Sequence, residues 1–126
     1  MIVKGLSWTA TIEHVSDDVV VLELVHKESS PKRAQLPVRV VQLLNEGQRK
    51  ILLNLSGVEY LESFDLGEIV SSYTITNRAG GTLKLCGVAP RISRSLELLR
   101  LKPLFEIFDS ERDALNSFAV GEAGHH

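Results

Sequence analysis

The chain has 126 residues, of which 44% are hydrophobic and 24% are charged, and its formal net charge is −2. These values are ordinary for one soluble globular domain, and they exclude a basic field that would attract nucleic acid or an anionic membrane. The single cysteine, Cys86, excludes an internal disulfide and a cysteine-cluster metal site, which favours a reducing compartment. No stretch approaches the roughly 20 apolar residues of a membrane span and no signal-peptide core is present, so we predict a cytoplasmic protein.

The first third of the chain predicts a β-hairpin followed by a helix. Residues 8–15 alternate apolar and polar side chains, and residues 19–25 are rich in β-branched residues, which is typical of strands. Residues 26–36 are polar and predict a loop. Pro37 then fits the first turn of a helix that ends near residue 46. The apolar stripe of this helix consists of Leu36, Val40, Leu43 and Leu44.

Strands and helices alternate through the rest of the chain. We predict strands at residues 50–55, 82–88 and 104–108. We predict helices from the residue after Ser63 to about residue 78, from Pro90 onward, and after Ser110. The apolar face of the helix after Pro90 consists of Ile92, Leu96 and Leu99.

The order of elements is β-β-α-β-α-β-α-β-α. Because strands alternate with helices after the hairpin, this order predicts an α/β fold with a mainly parallel sheet and one antiparallel edge strand. We expect a mixed sheet of about five strands with about four helices in a single domain spanning residues 1–126. Its recognisable core covers about residues 8–120, and residues 121–126 are expected to be disordered or derived from a tag.

The junction between the strand at 50–55 and the next helix is the most informative stretch. The apolar run ends at residues 62–65, where the apolar positions take up a helical period. A hydroxyl at this place is suited to cap the helix, and most serines before helices do no more than that, so Ser63 is predicted to be the N-cap. The same place concentrates positive potential from the helix dipole, which would partly accommodate a phosphate on Ser63.

Several motifs of the sequence resemble the STAS family, the domain shared by sulphate transporters and bacterial anti-sigma factor antagonists. The most specific are NLSGVEYL at 54–61 and ESFDLG at 62–67, and the similarity extends over about residues 8–120. The strand opening GGTLKL at 80–85, Ala89-Pro90 and the apolar ending at 101–107 match the layout of the same family. The resemblance implies a STAS-like fold.

In the anti-sigma factor antagonist branch, the serine at the position of Ser63 is phosphorylated by a partner anti-sigma factor. That partner is a serine kinase of the histidine-kinase ATPase fold. The unphosphorylated antagonist binds the kinase and frees its sigma factor, which regulates transcription indirectly, and phosphorylation dissolves the complex. The resemblance therefore implies that Ser63 is a phosphoacceptor. The partner-binding residues that it implies are Glu62, Ser63, Phe64, Asp65, His26 and Lys27.

The sequence departs from the family pattern in three places. Glu62 is one methylene longer than the family's aspartate, and Phe64 and Asp65 replace a Ser/Thr-Gly pair, which adds bulk and charge where a kinase must approach. His26-Lys27 begins the stretch that replaces an acidic partner-binding turn. These departures keep a second interpretation open, in which the chain is a STAS scaffold or accessory subunit without a phospho-switch. Its partners would then be other STAS proteins of a stressosome-like complex or an ABC-type lipid-transport ATPase.

The sequence offers no catalytic or metal-binding constellation. A Gly-x-Ser-x-Gly elbow and a phosphate-binding Gly-x-x-x-x-Gly-Lys loop are both absent, and Ser63 has no catalytic histidine context. His14 and His26 lack a carboxylate or thiol at ligand spacing. We therefore predict a protein that is not an enzyme, that needs no cofactor and no metal, and that binds neither nucleic acid nor membrane.

Overall fold

A computed structural model describes residues 10–26 and 35–123, with side chains up to residue 119. Within those residues, a five-stranded sheet has the order β1-β2-β3-β4-β5. The β1–β2 pair is antiparallel and the other three pairs are parallel. The elements are β1 (Ala10–Ser16), β2 (Val19–Val25), α1 (Leu36–Asn45), β3 (Lys50–Asn54), α2 (Ser63–Arg78), β4 (Thr82–Cys86), α3 (Pro90–Leu98), β5 (Ile107–Phe108) and α4 (Glu111–Ala123). The predicted α/β sheet with four helices is confirmed.

The sheet lies between two layers of helices because successive side chains of each strand point to opposite faces. On one face, apolar side chains of β2 to β5 pack against α1, α2 and α3 in the larger core. On the other face, a smaller apolar cluster packs against α4. Both faces of β3 are buried, with Ile51, Leu52 and Leu53 fully inaccessible, which explains its continuous apolar run.

The first two helices closely follow the predicted boundaries. Pro37 lies in the first turn of α1, and the four residues of the predicted stripe are the ones it buries. The left-handed backbone of Gly47 (φ 94°) follows the helix end, a conformation that glycine adopts without steric strain. α2 spans sixteen residues, Ser63–Arg78, so it ends at the predicted residue and begins at Ser63 itself, not after it.

The region after α3 differs from the prediction in two ways. Leu99 is not on the buried face but 55% exposed, because α3 ends at Leu98 and Arg100 turns the chain with φ 60°. The strand predicted at 104–108 is reduced to β5, and Lys102–Leu104 forms a single 3-10 turn. Pro103 explains the change, since its fixed φ suits a tight turn and it has no N–H for a sheet ladder.

Two further predicted segments concern the chain ends. Trp8 and Thr9 of the first predicted strand, and residues 124–126, lie outside the described residues. α4 continues to Ala123 and so includes three residues, 121–123, of the stretch that we expected to be disordered. In the part of the chain that the structure describes, no helix combines the length and apolar character needed to cross a membrane.

Candidate functional site

The carboxyl ends of the parallel strands β2 to β5 meet at one edge of the sheet, and the segment that leads to Ser63 starts there. This segment, residues 55–62, is wedged between the ends of β2 and β4. A Cβ on Gly57 would lie 3.2 Å from the carbonyl oxygen of Leu24, and one on Gly87 would lie 2.9 Å from the Cβ of Ser56. Contacts below about 3 Å require displacement, so a side chain at Gly87 would push the segment away from β4.

Hydrogen bonds and buried side chains fix the same segment. The Oδ1 atom of Asn54 accepts hydrogen bonds from the backbone N–H (2.9 Å) and the hydroxyl (2.7 Å) of Ser56. The N–H of Leu55 donates to the carbonyl of Cys86 at 2.9 Å. Val58 and Leu61 are 2% and 7% exposed and anchor the remainder in the core. The start of α2 is therefore held in one position relative to the sheet.

The cap of α2 differs from the prediction. Glu62, not Ser63, is the N-cap residue, with an extended backbone (φ −80°, ψ 167°). The carboxylate of Asp65 accepts a hydrogen bond from the Glu62 N–H at 3.0 Å, which satisfies a donor at the helix start. Because these residues cap the helix, the Ser63 hydroxyl makes no hydrogen bond with the described residues. It lies exposed in the first turn.

The four predicted site residues at this junction do not all face solvent. Glu62, Ser63 and Phe64 are exposed, and Phe64 is 63% accessible. Asp65 is completely buried, so the expectation that it adds charge to the exposed surface is wrong. Asp65 instead positions Ser63, because it caps the start of α2. Its carboxylate turns inward because the cap requires it at the third helical position.

The other two predicted site residues, His26 and Lys27, follow β2 in the sequence. His26 is half-buried at the end of β2, on the same edge of the sheet as the segment that leads to Ser63. Its two ring nitrogens are inaccessible and form no hydrogen bond with a described residue. Lys27 lies outside the described residues. The structure therefore brings Glu62, Ser63 and Phe64 together on one surface and adds His26 to the same edge.

A groove between α1 and α2 lies beside Phe64 and was not predicted. Its volume is about 440 Å³. The residues that line it are Gln35, Pro37, Val38, Phe64, Gly67, Glu68 and Ser71. Val38 is 50% exposed and Val41 is 40% exposed, so α1 has apolar residues outside its buried stripe. In the sequence, these two valines outside the apolar stripe of α1 were the feature that could have indicated the groove.

Neither Cys86 nor a metal cluster gives this edge catalytic chemistry. Burial raises the pKa of the Cys86 thiol to about 12, and the charges of Glu111 and Glu23 act in the same direction. The thiolate needed for nucleophilic attack is thus disfavoured. Among residues 10–26 and 35–123, no group of three or more histidine, cysteine or acidic side chains is placed to hold a metal ion.

The family of this chain follows from its comparison with known proteins. Residues 12–114 match the family model described as the STAS domain. The chain belongs to the STAS domain family. A candidate anti-sigma factor antagonist of Thermotoga neapolitana is 36% identical over 103 residues, which cover 80% of this chain and 90% of that protein. An anti-sigma F factor antagonist of Paenibacillus polymyxa is 31% identical over 98 residues, covering 78% and 81%.

A solved structure supports the assignment of this STAS domain. The crystal structure of a candidate anti-sigma factor antagonist from Thermotoga maritima superposes with a TM-score of 0.68 and 28% identity. The superposition covers 85% of this chain and 92% of the other. The family and the STAS fold, which the resemblance at residues 54–67 implied, are confirmed.

Proposed function

We propose that this STAS domain is an anti-sigma factor antagonist that is switched off by phosphorylation of Ser63. Its partner is an anti-sigma factor with serine kinase activity and the histidine-kinase ATPase fold, and transcription is regulated indirectly in the cytoplasm. The observation that supports the proposal best is the exposed Ser63 hydroxyl, which Asp65 and Glu62 relieve of the capping role. Ser63 is then a substrate of the partner, and the chain itself is not an enzyme.

The surface around Ser63 explains how a phosphate would end the interaction. Phe64 is exposed beside it, and the groove that Phe64 and Val38 line offers an apolar contact to a partner. A phosphate adds a charge of about −1.5 to −2 at neutral pH. At the rim of an apolar contact and next to the exposed Glu62, this charge has to be desolvated and repels acidic groups. Phosphorylation is therefore expected to favour dissociation.

In this proposal the partner-binding residues are Glu62, Ser63 and Phe64 at the start of α2, with His26 and Lys27 contributing from the end of β2. Asp65 acts through its cap and holds the phosphoacceptor in the first turn. The exposed residues therefore contact the partner, and the buried Asp65 positions the phosphoacceptor.

The test is incubation of the chain with its cognate anti-sigma kinase and ATP, followed by intact-mass measurement. We expect one added phosphate on the natural sequence and none on Ser63→Ala. Ser95→Ala is the control, because Ser95 is a half-buried serine of α3 that does not line the groove, and its loss should leave phosphorylation unchanged. Equal modification of Ser63→Ala would contradict the proposal.

A second function is favoured by the exposure of Phe64. A 63% exposed phenylalanine beside an apolar groove suits a permanent contact in a larger assembly. The chain would then be a scaffold or accessory subunit that binds other STAS proteins in a stressosome-like complex or an ABC-type lipid-transport ATPase. Ser63→Asp separates the two functions: loss of partner binding supports the switch, whereas a complex that survives Ser63→Asp and is lost in Phe64→Ala supports the scaffold.

A further inference from the structure

A series of hydrogen bonds joins α4 to the segment that precedes Ser63. The two carboxylate oxygens of Glu111 on α4 have separate partners: Oε1 accepts from Nδ2 of Asn54 at 3.0 Å, and Oε2 lies 3.0 Å from Nε2 of His14. The Oδ1 atom of Asn54 in turn accepts from the N–H and the hydroxyl of Ser56, at 2.9 and 2.7 Å. Because α4 packs on one face of the sheet and α2 on the other, these bonds connect the two helix layers at the carboxyl edge of the strands.

The partners of Asn54 determine which way its amide points. The backbone N–H of Ser56 can only donate, so the atom that faces it is the amide oxygen. The amide NH2 group then faces Glu111, whose carboxylate accepts its hydrogen bond. This 9% exposed position therefore requires an acceptor on one side and a donor on the other, which asparagine combines. An aspartate here would place its second oxygen against the carboxylate of Glu111, and the two like charges would repel.

The start of α4 is capped by residues other than Glu111. The hydroxyl oxygen of Ser110 accepts from the N–H of Asp113 at 3.1 Å, which is the hydrogen bond of a helix N-cap. Asp113 also gives the first turn a negative charge, which favours the positive end of the helix dipole. Glu111 instead turns toward the sheet and is half-buried between Asn54 and His14. Its side chain is therefore available to fix another element of the fold.

The segment of residues 55–62 is attached to the rest of the fold near both of its ends. Near its start, Ser56 is exposed, so its position depends more on the two hydrogen bonds to Asn54 than on burial. Near its other end, the guanidinium carbon of Arg91 on α3 lies 4.7 Å from the ring centre of Tyr60, which is a cation–π contact. Loss of the attachment at Asn54 would release the beginning of the path that leads to Ser63.

We propose that Glu111 and Asn54 are positioning residues for Ser63, an inference that rests on the proposed phosphorylation of that serine. They hold the segment before α2 so that the Ser63 hydroxyl meets the kinase partner in one orientation. In the reaction, the serine oxygen forms a bond to the γ-phosphorus of the kinase's ATP as the bond to ADP breaks, and the hydroxyl proton passes to a base of the kinase. Such a transfer depends on alignment, and a misplacement of about 1 Å can lower its rate about a hundredfold.

The experiment exchanges the donor and the acceptor of the Asn54–Glu111 pair. Asn54→Asp sets two carboxylates against each other, and the double variant with Glu111→Gln restores one donor and one acceptor in the reverse order. Each protein is incubated with the cognate anti-sigma kinase and ATP well below its unfolding midpoint, and phosphate addition is followed by intact mass. We expect Asn54→Asp to lower kcat about tenfold or more while KM changes by less than about twofold. The double variant should recover most of this loss.

Amide hydrogen exchange tests the attachment of the segment without the kinase. The N–H of Ser56 should exchange about tenfold or more faster in Asn54→Asp, and its exchange should slow again in the double variant. Ser117→Ala is the matched control, because it removes a different polar contact between α4 and the sheet, the acceptor of the Lys84 ammonium. This control should leave both the exchange at Ser56 and the kcat of phosphorylation unchanged.

Three results would overturn the inference, and a fourth concerns the switch alone. Unchanged exchange at Ser56 in Asn54→Asp would show that the pair does not hold the segment. An unchanged kcat would show that the pair does not position Ser63 for the kinase, and a double variant that recovers nothing would trace the loss to another cause. If the natural chain takes up no phosphate, the switch at Ser63 is wrong, whereas the exchange measurements still support or contradict the attachment of the segment to α4.

Discussion

The two faces of the sheet are stabilised in different ways. The face under α1, α2 and α3 is lined by aliphatic side chains, with Val20, Leu22, Ile51, Leu53, Leu83 and Leu85 at 3% exposure or less. The face under α4 has a smaller apolar cluster and also buries Asn54 and Lys84. The three helices bury a larger apolar core on one face, where the buried polar side chains belong to α2 and not to the strands, whereas the single helix on the other face is joined to the strands by specific polar pairs.

The polar pairs on the α4 face join the helix to separate strands. The ammonium of Lys84 on β4 lies 3.2 Å from Glu106 and 4.5 Å from the ring centre of Phe118, and it donates to the hydroxyl of Ser117. Near the start of α4, Glu111 accepts from Asn54 Nδ2 at 3.0 Å and lies 3.0 Å from His14 Nε2. α4 is thus attached to β1, β3 and β4 through two of its side chains.

The largest expected effect is on the three-helix face. Leu53→Ala removes a fully buried side chain from the middle of the sheet and should lower the free energy of unfolding by about 2–5 kcal/mol. Urea denaturation measures this change in the free energy of unfolding. Leu98→Ala, at a 76% exposed leucine, should change stability by less than about 0.5 kcal/mol. If the two substitutions lowered the free energy of unfolding equally, burial would not be the main source of stability on this face.

On the α4 face, Lys84→Ala should lower the free energy of unfolding by about 1–3 kcal/mol, since it removes the buried stem, the ammonium that lies over the rings of Phe108 and Phe118, and the hydrogen bond to Ser117. Lys84→Met keeps most of the stem and removes the ammonium, so it loses the charge and the hydrogen bond to Ser117. We expect Met to restore part of the loss, with amide exchange in α4 still faster than in the natural chain. A methionine variant as stable and as protected as the natural chain would show that the polar pairs do not fix α4.

The cap of α2 gives a smaller effect at the edge of the three-helix face. Asp65→Ala removes the acceptor of the Glu62 N–H and should destabilise the protein by about 0.5–2 kcal/mol. Asp65→Asn keeps an acceptor and should lose less. Hydrogen exchange at Glu62 reports the local change, and exchange that stays slow in Asp65→Ala would contradict the capping role.

The smallest expected effect concerns an exposed ion pair on the three-helix side. Arg39 of α1 donates two hydrogen bonds to Glu13 of β1, and this bonding lowers the pKa of the Glu13 carboxyl below its ordinary value of 4.5. A lowered folded-state pKa contributes stability that is present above pH 4.5 and is lost as pH falls through the folded-state pKa. Glu13→Gln should therefore flatten the stability profile below about pH 4.5, by less than about 1 kcal/mol because the pair is partly solvated. A profile with unchanged slope would contradict this assignment.

Local sequence patterns predicted much of the fold because the spacing of apolar residues indicates which positions are buried. The bounds of β2 and the end of α2 coincide with those predicted, since β-branched residues and a helical apolar period identify these elements without reference to distant parts of the chain. Lys84 and Asn54 gave no such signal, because their partners Ser117 and Glu111 are 33 and 57 residues away. A buried lysine is recognisable only when its partner is known.

The sequence predicted where the candidate site lies. It did not predict which residue caps α2 and which residues are exposed. Both Glu62 and Ser63 are residues that can precede a helix, and the choice between them depends on Asp65 turning inward. The 3-10 turn before β5 was missed because Leu104, Phe105 and Ile107 together suggest a strand. Pro103 was the local signal against it.

The wedged segment before α2 determines what kind of signal a modified Ser63 could send. Gly57 and Gly87 let residues 55–62 pack closely against the ends of β2 and β4, and this segment leads directly into α2. We therefore expect the backbone of the modified and unmodified proteins to superimpose. A partner would distinguish the two forms by local surface chemistry alone, so the response would be as fast as the covalent reaction and would require no relaxation of the fold.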